Sequence, residues 1–219
     1  MDLLKYTLRI ADSSLILGQR LSSWCSKGPT LEEDIALSNL SLDLFGQANS
    51  LLEYASELDG IKSADDFAFK RNEREFYNLL LTEQLNGHFG DTIVRHFFFS
   101  VYSFLFYSKL ASSKDETLAA IAAKSLKEIK YHLHHSKSWV VRLGFGTEES
   151  NKRIQKSLND LWQFTGELFE MDDIDQKMYT EGIGVNNSSL KADWDKIVNE
   201  TLKQSNLIRP IDGYMQSGS

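Results

Sequence analysis

Proline is nearly absent from this sequence, and this absence sets the widest limit on its fold. Only two of the 219 residues are proline, Pro29 and Pro210. Because proline removes a backbone donor and ends or kinks helices, the whole stretch between these two positions can be helical. The alternation of apolar and polar residues that is typical of half-buried strands is missing. The sequence therefore predicts an all-α protein.

Capping signals place the first helices. The first helix is predicted over residues 2–23. Thr30, with Glu33 three residues later, forms a capping-box pattern at the start of the second helix. That helix should end near Leu58, because the aspartate and glycine at residues 59–60 form a helix terminator.

Further helices follow along the chain. They are predicted over residues 65–84, 92–110, 115–143, 147–170 and 190–204, with an acidic connection rich in Gly and Asn over residues 171–189. Asp91 is the predicted N-cap of the third long helix, and Gly144 and Gly146 should end the fourth. Four long helices joined by short turns predict a ferritin-like four-helix bundle with additional crossover and C-terminal helices.

Composition narrows the class of protein. The net charge of −7 and the absence of a long basic cluster argue against nucleic acid as a partner. No apolar run is long enough to span a bilayer, and the N-terminus lacks signal-peptide features. The single cysteine, Cys25, fits a reducing cytoplasm and is expected to be a small buried side chain. We expect one cytoplasmic domain over residues 1–219. Its segment after about residue 205 should be extended, and the alternatives are that this segment is truncated or disordered.

The second helix carries the apolar stripe on which the candidate site is defined. Leu37, Leu40, Leu44, Gln47 and Leu51 follow one another in steps of three and four residues and so share one helical face. In di-iron carboxylate bundles, an i, i+3 pair at this place on the helix carries Glu and His. Here the pair is Leu44 and Gln47. Leucine cannot bind iron, and glutamine offers only a weak neutral oxygen.

The fourth helix repeats this degenerate pattern. Its inward stripe consists of Leu118, Ala122, Ser125, Ile129, His132, Ser136 and Trp139. The Glu-x-x-His pair would fall on Ile129 and His132, of which only the histidine is present. Two irons would carry uncompensated charge in a core with so few carboxylates. The residues thus favour a bundle with no metal, no catalytic residue and no cofactor of its own.

A second set of side chains offers a competing metal site. Glu128, His132 and His135 lie on one face of the fourth helix, and Asp43 on the second helix could add a carboxylate. These four residues define the alternative function, an independent metal-dependent oxygenase. Hydrogen bonding of His132 in a polar pocket is the commoner arrangement.

The residue pattern indicates two further surfaces. His134, His135, Lys137 and Arg142 are expected to form a solvated face of the fourth helix. The aromatic run over residues 97–107 should be buried in the protein's own core, with a role as partner interface as the alternative. Phosphate loops, nucleophile elbows and dinucleotide motifs are missing from the sequence, and Cys25 is a weak nucleophile candidate.

Several blocks of the sequence resemble a known family. They cover residues 15–24, 28–48, 72–100, 115–136, 139–150 and 212–218, in order along nearly the whole chain. Together they closely resemble the structural subunits, called PaaC type, of bacterial phenylacetyl-CoA 1,2-epoxidases. Members of that family continue past a similar C-terminal segment into a Gly- and His-containing stretch and another helix, whereas this sequence stops at Ser219.

The resemblance implies a function and partners. It implies a structural subunit that pairs with a homologous catalytic subunit, which holds the di-iron centre and works with a reductase and small accessory subunits. Where the catalytic subunit resembles Asp-Glu-x-Gly-His, this sequence has Asp43, Leu44, Phe45, Gly46 and Gln47. A homodimeric scaffold without a catalytic partner is the remaining alternative.

Overall fold

Four long helices form the body of the protein. The computed structural model describes residues 1–218, and all regular structure in that range is helical. The long helices are α1 (Asp2–Ser22), α2 (Leu31–Asp59), α5 (Phe89–Leu110) and α6 (Glu116–Gly144). Two antiparallel pairs, α1 with α2 and α5 with α6, pack against each other around a common apolar core. The predicted all-α, ferritin-like bundle is confirmed.

Five shorter helices complete the molecule. They are α3 (Ala64–Phe69), α4 (Leu80–Glu83), α7 (Glu148–Trp162), α8 (Asp173–Thr180) and α9 (Lys191–Gln204). Single 3-10 turns lie at Glu73–Glu75, Gly166–Phe169 and Asn187–Leu190. Both α7 and α9 pack on the α5–α6 pair. Within residues 1–218, no helix is both long enough and apolar enough to cross a membrane.

The start of α2 follows only half of the predicted capping box. The Thr30 hydroxyl accepts a hydrogen bond from the Glu33 backbone N–H at 3.4 Å. The Glu33 carboxylate does not return to the cap, because it binds His135 on α6 instead. The other end agrees with the sequence, since Gly60 follows the helix with φ of 72° in the left-handed region.

The prediction of one continuous helix over residues 65–84 is wrong, because only α3, a 3-10 turn and α4 are helical in that range. Its middle is extended and lies along α1, where the backbone N–H of Tyr77 donates to Asp12 at 2.9 Å and that of Leu79 donates to the Ser13 hydroxyl at 3.2 Å. Arg71 forms an ion pair with the same buried Asp12. These long-range contacts with α1 replace the hydrogen bonds that a continuous helix would make.

The start of α5 also differs from its prediction. His88, not Asp91, is the N-cap, because its ring Nδ1 accepts from the Asp91 backbone N–H at 3.3 Å. Asp91 completes the box by accepting from the His88 backbone N–H at 2.8 Å. The helix therefore begins three residues earlier than predicted.

The C-terminal third is divided into more helices than the sequence pattern predicted. The helix predicted to reach residue 170 stops at Trp162, whose ring N–H donates to Asp212 at 2.9 Å. The connection over residues 171–189 contains α8, which Asp172 caps. Residues 207–218 lack helix and run along α7, where the Gln216 N–H donates to the Gln163 carbonyl at 2.8 Å.

Two predictions about individual side chains have different outcomes. Cys25 is exposed, because it lies in the turn after α1 and not in the core, so its predicted burial is wrong. Most of the aromatic run is buried, with Phe97 and Phe98 fully enclosed. The Trp194 ring N–H donates to the Phe98 carbonyl at 3.1 Å, and this contact fixes α9 on α5. The prediction that residues 97–107 are buried in the protein's own core is therefore confirmed for most of that run.

Candidate degenerate metal site

The candidate site lies between α2 and α6. Two of its four paired ligand positions carry apolar side chains. Leu44 and Ile129 are each 2% exposed and belong to the core. Asp43 on α2 contacts His132 on α6. Gln47, one turn later on α2, contacts Glu128, one turn earlier on α6, so the two helices run antiparallel here. The structure thus brings the predicted site positions to one place, but without a carboxylate at either paired glutamate position.

The Gln47 side chain is committed to a neighbour on α6. It is 4% exposed, and its Nε2 donates to Glu128 Oε2 at 3.2 Å. This contact satisfies a buried amide, which would otherwise cost free energy. It also occupies one carboxylate oxygen of Glu128, which is a residue of the alternative metal site.

His132 pairs with Asp43 across the same space. Its Nε2 lies 3.2 Å from Asp43 Oδ2, and the imidazole is buried while the carboxylate is one-third exposed. In the neutral ring, the carboxylate acceptor assigns the proton to Nε2. His132 is therefore held as a hydrogen-bonded bundle histidine.

His135 does not belong to a solvated face, and that prediction is wrong. It is 8% exposed, and its Nε2 lies 2.9 Å from Oε2 of Glu33 in the first turn of α2. Its neighbours His134 and Arg142 are exposed as expected, while Lys137 is half-buried. His135 lies one turn beyond His132 on the same side of α6, so burial of one favours burial of the other.

His96 on α5 completes the polar cluster and was missed by the sequence reasoning. Its ring centroid lies 5.2 Å from that of His132. The ring is fully buried, and neither nitrogen has a hydrogen-bond partner among residues 1–218. Burial, followed by the charges of His132, His135 and Arg95, holds the pKa of His96 well below its usual value. A histidine in a helix that is otherwise aromatic on most sides was the available signal.

This arrangement does not fit a di-iron centre. Two irons need several carboxylate oxygens directed at one point. Here the carboxylates of Asp43, Glu33 and Glu128 each bind a separate side chain. Among the described residues, no three His, Cys, Asp or Glu side chains are grouped so that they could hold a metal ion. The four residues of the alternative site are divided between three pairs and do not converge.

The fold and the site together define a class of protein. The molecule is a ferritin-like helix bundle whose paired ligand positions are filled by Leu44, Gln47, Ile129 and His132, a set that cannot hold two irons.

Sequence comparison then gives the family. Residues 1–219 match the family model described as phenylacetic acid catabolic protein, and the chain belongs to that family. A relative from Escherichia coli strain K12, whose name describes it as a subunit of 1,2-phenylacetyl-CoA epoxidase, is 45% identical over 217 residues. The alignment covers 99% of this chain and 88% of the relative.

Proposed function

We propose that this protein is a non-catalytic subunit of a multicomponent phenylacetyl-CoA epoxidase and supports a separate catalytic subunit through helix–helix contacts. The observation that carries the proposal is the content of the site between α2 and α6. Three of its four paired ligand positions hold Leu44, Gln47 and Ile129, and the amide of Gln47 is bound to Glu128. The name of the Escherichia coli relative supports the same assignment.

In this proposal, the chemistry belongs to the partner. A homologous subunit holds the di-iron centre, and a reductase and the other components of the epoxidase deliver electrons to it. The present protein contributes no ligand, since the carboxylates at its candidate site are taken by Gln47, His132 and His135. The reaction takes place in the cytoplasm.

The exposed face of α2 supports a helix-mediated partnership. Leu31, Ile35 and Leu42 are 73%, 54% and 64% exposed. Their spacing of four and seven residues puts them on one side of the helix, away from the core stripe. Exposed apolar side chains aligned on a long helix are typical of a protein–protein contact. This face replaces the aromatic run of α5 as the interface candidate, because most of that run is buried.

Co-purification tests the partnership. The protein is co-expressed with the tagged, iron-bearing subunit of the same epoxidase, and the captured complex is quantified. Leu42→Glu should reduce capture strongly, because it places a charge in an apolar contact. Ile61→Glu, at an exposed apolar residue in the turn after α2, is the matched control and should not change capture. Equal capture of both variants would contradict the assigned face, and no capture of the unaltered protein would contradict the partnership.

Elemental analysis tests whether this subunit lacks a metal centre of its own. The protein purified alone from iron-supplemented cells should contain iron well below stoichiometry, while the co-purified complex should contain about two irons per catalytic subunit. About two irons per chain in the isolated protein would establish the alternative, an oxygenase that uses Glu128, His132, His135 and Asp43.

A further inference from the structure

A large cavity lies on the side of the bundle where α1 faces α5. Its volume is about 690 Å³, within the range of small-molecule sites. Its walls come from α1, the crossover segment between α3 and α4 (residues 70–79), α5 and the residues before α8. This cavity is separate from the contacts between α2 and α6 and plays no part in the proposed function.

The apolar part of the cavity is aromatic. The aromatic residues that line it on α5 are Phe99, Tyr102, Phe106 and Tyr107, and Phe76 of the crossover segment adds another ring. Tyr102 stacks on Phe106 with ring centroids 5.5 Å apart, so these two walls are fixed by their own contact. Rings arranged in this way favour a flat aromatic ligand, since edge-to-face and offset contacts add to the burial of apolar area.

Buried polar atoms without partners line the same cavity. Ser103 is 4% exposed and Asn187 is 8% exposed, and neither the Ser103 hydroxyl nor the Asn187 Oδ1 has a hydrogen-bond partner among residues 1–218. The Tyr107 hydroxyl also lacks a hydrogen bond of normal geometry. Burial raises the Tyr107 pKa to about 12, and the nearby Ser14 hydroxyl opposes only part of this increase. Unpartnered buried polar groups are unfavourable, and a ligand with a donor and an acceptor would satisfy them.

The charged groups around the cavity are already partnered or lie toward solvent. Arg9 bonds both Asp172 and Asp175, and Glu167 accepts from the backbone N–H groups of Leu80 at 2.7 Å and Gly218 at 3.0 Å. Burial raises the pKa of Asp175 and of Glu167, which indicates that this environment disfavours further negative charge.

The remaining cations do not change this conclusion. Lys5 lies 5.1 Å from the centre of the half-exposed Tyr77 ring, and Arg74 is exposed. Both are therefore nearer to solvent than the unpartnered atoms of Ser103 and Asn187. A neutral ligand fits the interior better than an anion or a cation.

We infer that this cavity is a binding site for a small uncharged aromatic molecule that carries an amide-like polar group, with its ring among Phe99, Tyr102 and Phe106 and its polar group on Ser103 and Asn187. The site is distinct from the degenerate metal site and holds a ligand without transforming it.

Calorimetric titration of the full chain with phenylacetamide tests this inference. Saturable binding of one molecule per chain is expected. Acetamide, which lacks the ring, should give no detectable binding, and phenylacetate at pH 7 should bind at least about tenfold more weakly because its charge must be desolvated. No saturable binding of phenylacetamide would overturn the inference and would indicate a cavity that holds only water. Equal binding of all three compounds would overturn it too, because neither the ring nor the absence of charge would then be recognised.

Two serine variants locate the site. Ser103→Ala should weaken phenylacetamide binding about three- to tenfold through loss of one hydrogen bond. Ser100→Ala is the matched control, since Ser100 lies one turn away on α5, is equally buried and has an unpartnered hydroxyl, but does not line the cavity. Neither change removes an existing bond, so both variants should fold. Equal affinity of the two variants would place the ligand elsewhere, and capture by the catalytic subunit should be unaffected by either change.

Discussion

The amide of Gln47 donates its hydrogen bond to Glu128 across 3.2 Å, at the level where a di-iron bundle would hold metal between two helices. At this level, one neutral amide is thus hydrogen-bonded to one carboxylate. The neighbouring positions Leu44 and Ile129 are apolar and buried. The degenerate site is therefore a packed part of the bundle core, and its residues can be tested by their effect on folding.

Replacement of Gln47 should be tolerated. In Gln47→Leu the apolar side chain joins the stripe of Leu44 and Leu51, and Glu128 is half-exposed and can turn to water. The free energy of unfolding should change by less than about 1 kcal/mol. Leu44→Ala on the same face should cost about 2–5 kcal/mol by opening a cavity, and it shows that the denaturation assay is sensitive. A similar cost for Gln47→Leu would mean that the Gln47–Glu128 contact is essential to the fold.

His96 should make stability depend on pH. Its pKa in the folded protein lies well below 6.5, whereas the unfolded chain takes up the proton near that value. The unfolded state therefore binds more protons below about pH 6.5, and stability is lost as the pH falls through that point. Relative to His96→Leu, the unaltered protein should lose up to about 1.4 kcal/mol of unfolding free energy per pH unit below about 6.5.

Denaturant titrations at several pH values measure this difference. His134→Leu, at an exposed position, is the control for removal of a histidine in general. If the unaltered protein and His96→Leu had parallel pH profiles, His96 would not be a buried neutral group in solution.

The ion pair of Arg71 with Asp12 should be needed to hold the crossover segment on α1. The Asp12 side chain is fully buried and the Arg71 side chain is 6% exposed. Burial raises the Asp12 pKa more than Arg71 lowers it, so the carboxylate is costly to keep charged. Arg71→Met should destabilise the protein by about 3–5 kcal/mol, and adding Asp12→Leu should recover part of that loss. Lys152→Met, which breaks an exposed pair with Glu148, should cost at most about 0.5 kcal/mol.

Two glycines, one inside α2 and one directly after it, should respond to alanine in opposite directions. A methyl group added at either Gly46 or Gly60 would meet no atom within 4 Å beyond the adjacent residues and the backbone of its own helix. Gly46 lies inside the helix, so Gly46→Ala should stabilise the protein by about 0.5–1 kcal/mol. Gly60 has φ of 72°, so Gly60→Ala should destabilise it by about 1 kcal/mol. Thermal unfolding of the two variants measures both shifts, and a shift of the same sign in both would contradict the backbone explanation.

The amino-acid sequence alone determined the long helices and the content of the candidate site. Both ends of α2 and the start of α6 follow from local capping chemistry at Thr30, Gly60 and Asp115. The core stripe follows from helical spacing, and the site positions Leu44, Gln47, Ile129 and His132 could be read from the same periodicity. These features depend on neighbours within a few residues, which the sequence displays directly.

Only the tertiary structure decided the partners of the polar side chains. Glu33 looked like a capping residue but binds His135. Residues 65–84 looked like one continuous helix, but the stretch around Tyr77 and Leu79 is held extended by Asp12 and Ser13 on α1. The burial of His96 and the cavity beside Ser103 likewise depend on which helices face each other. A buried polar group must find a partner wherever the fold provides one, and that choice is made between segments far apart in the chain, where local preference has no influence.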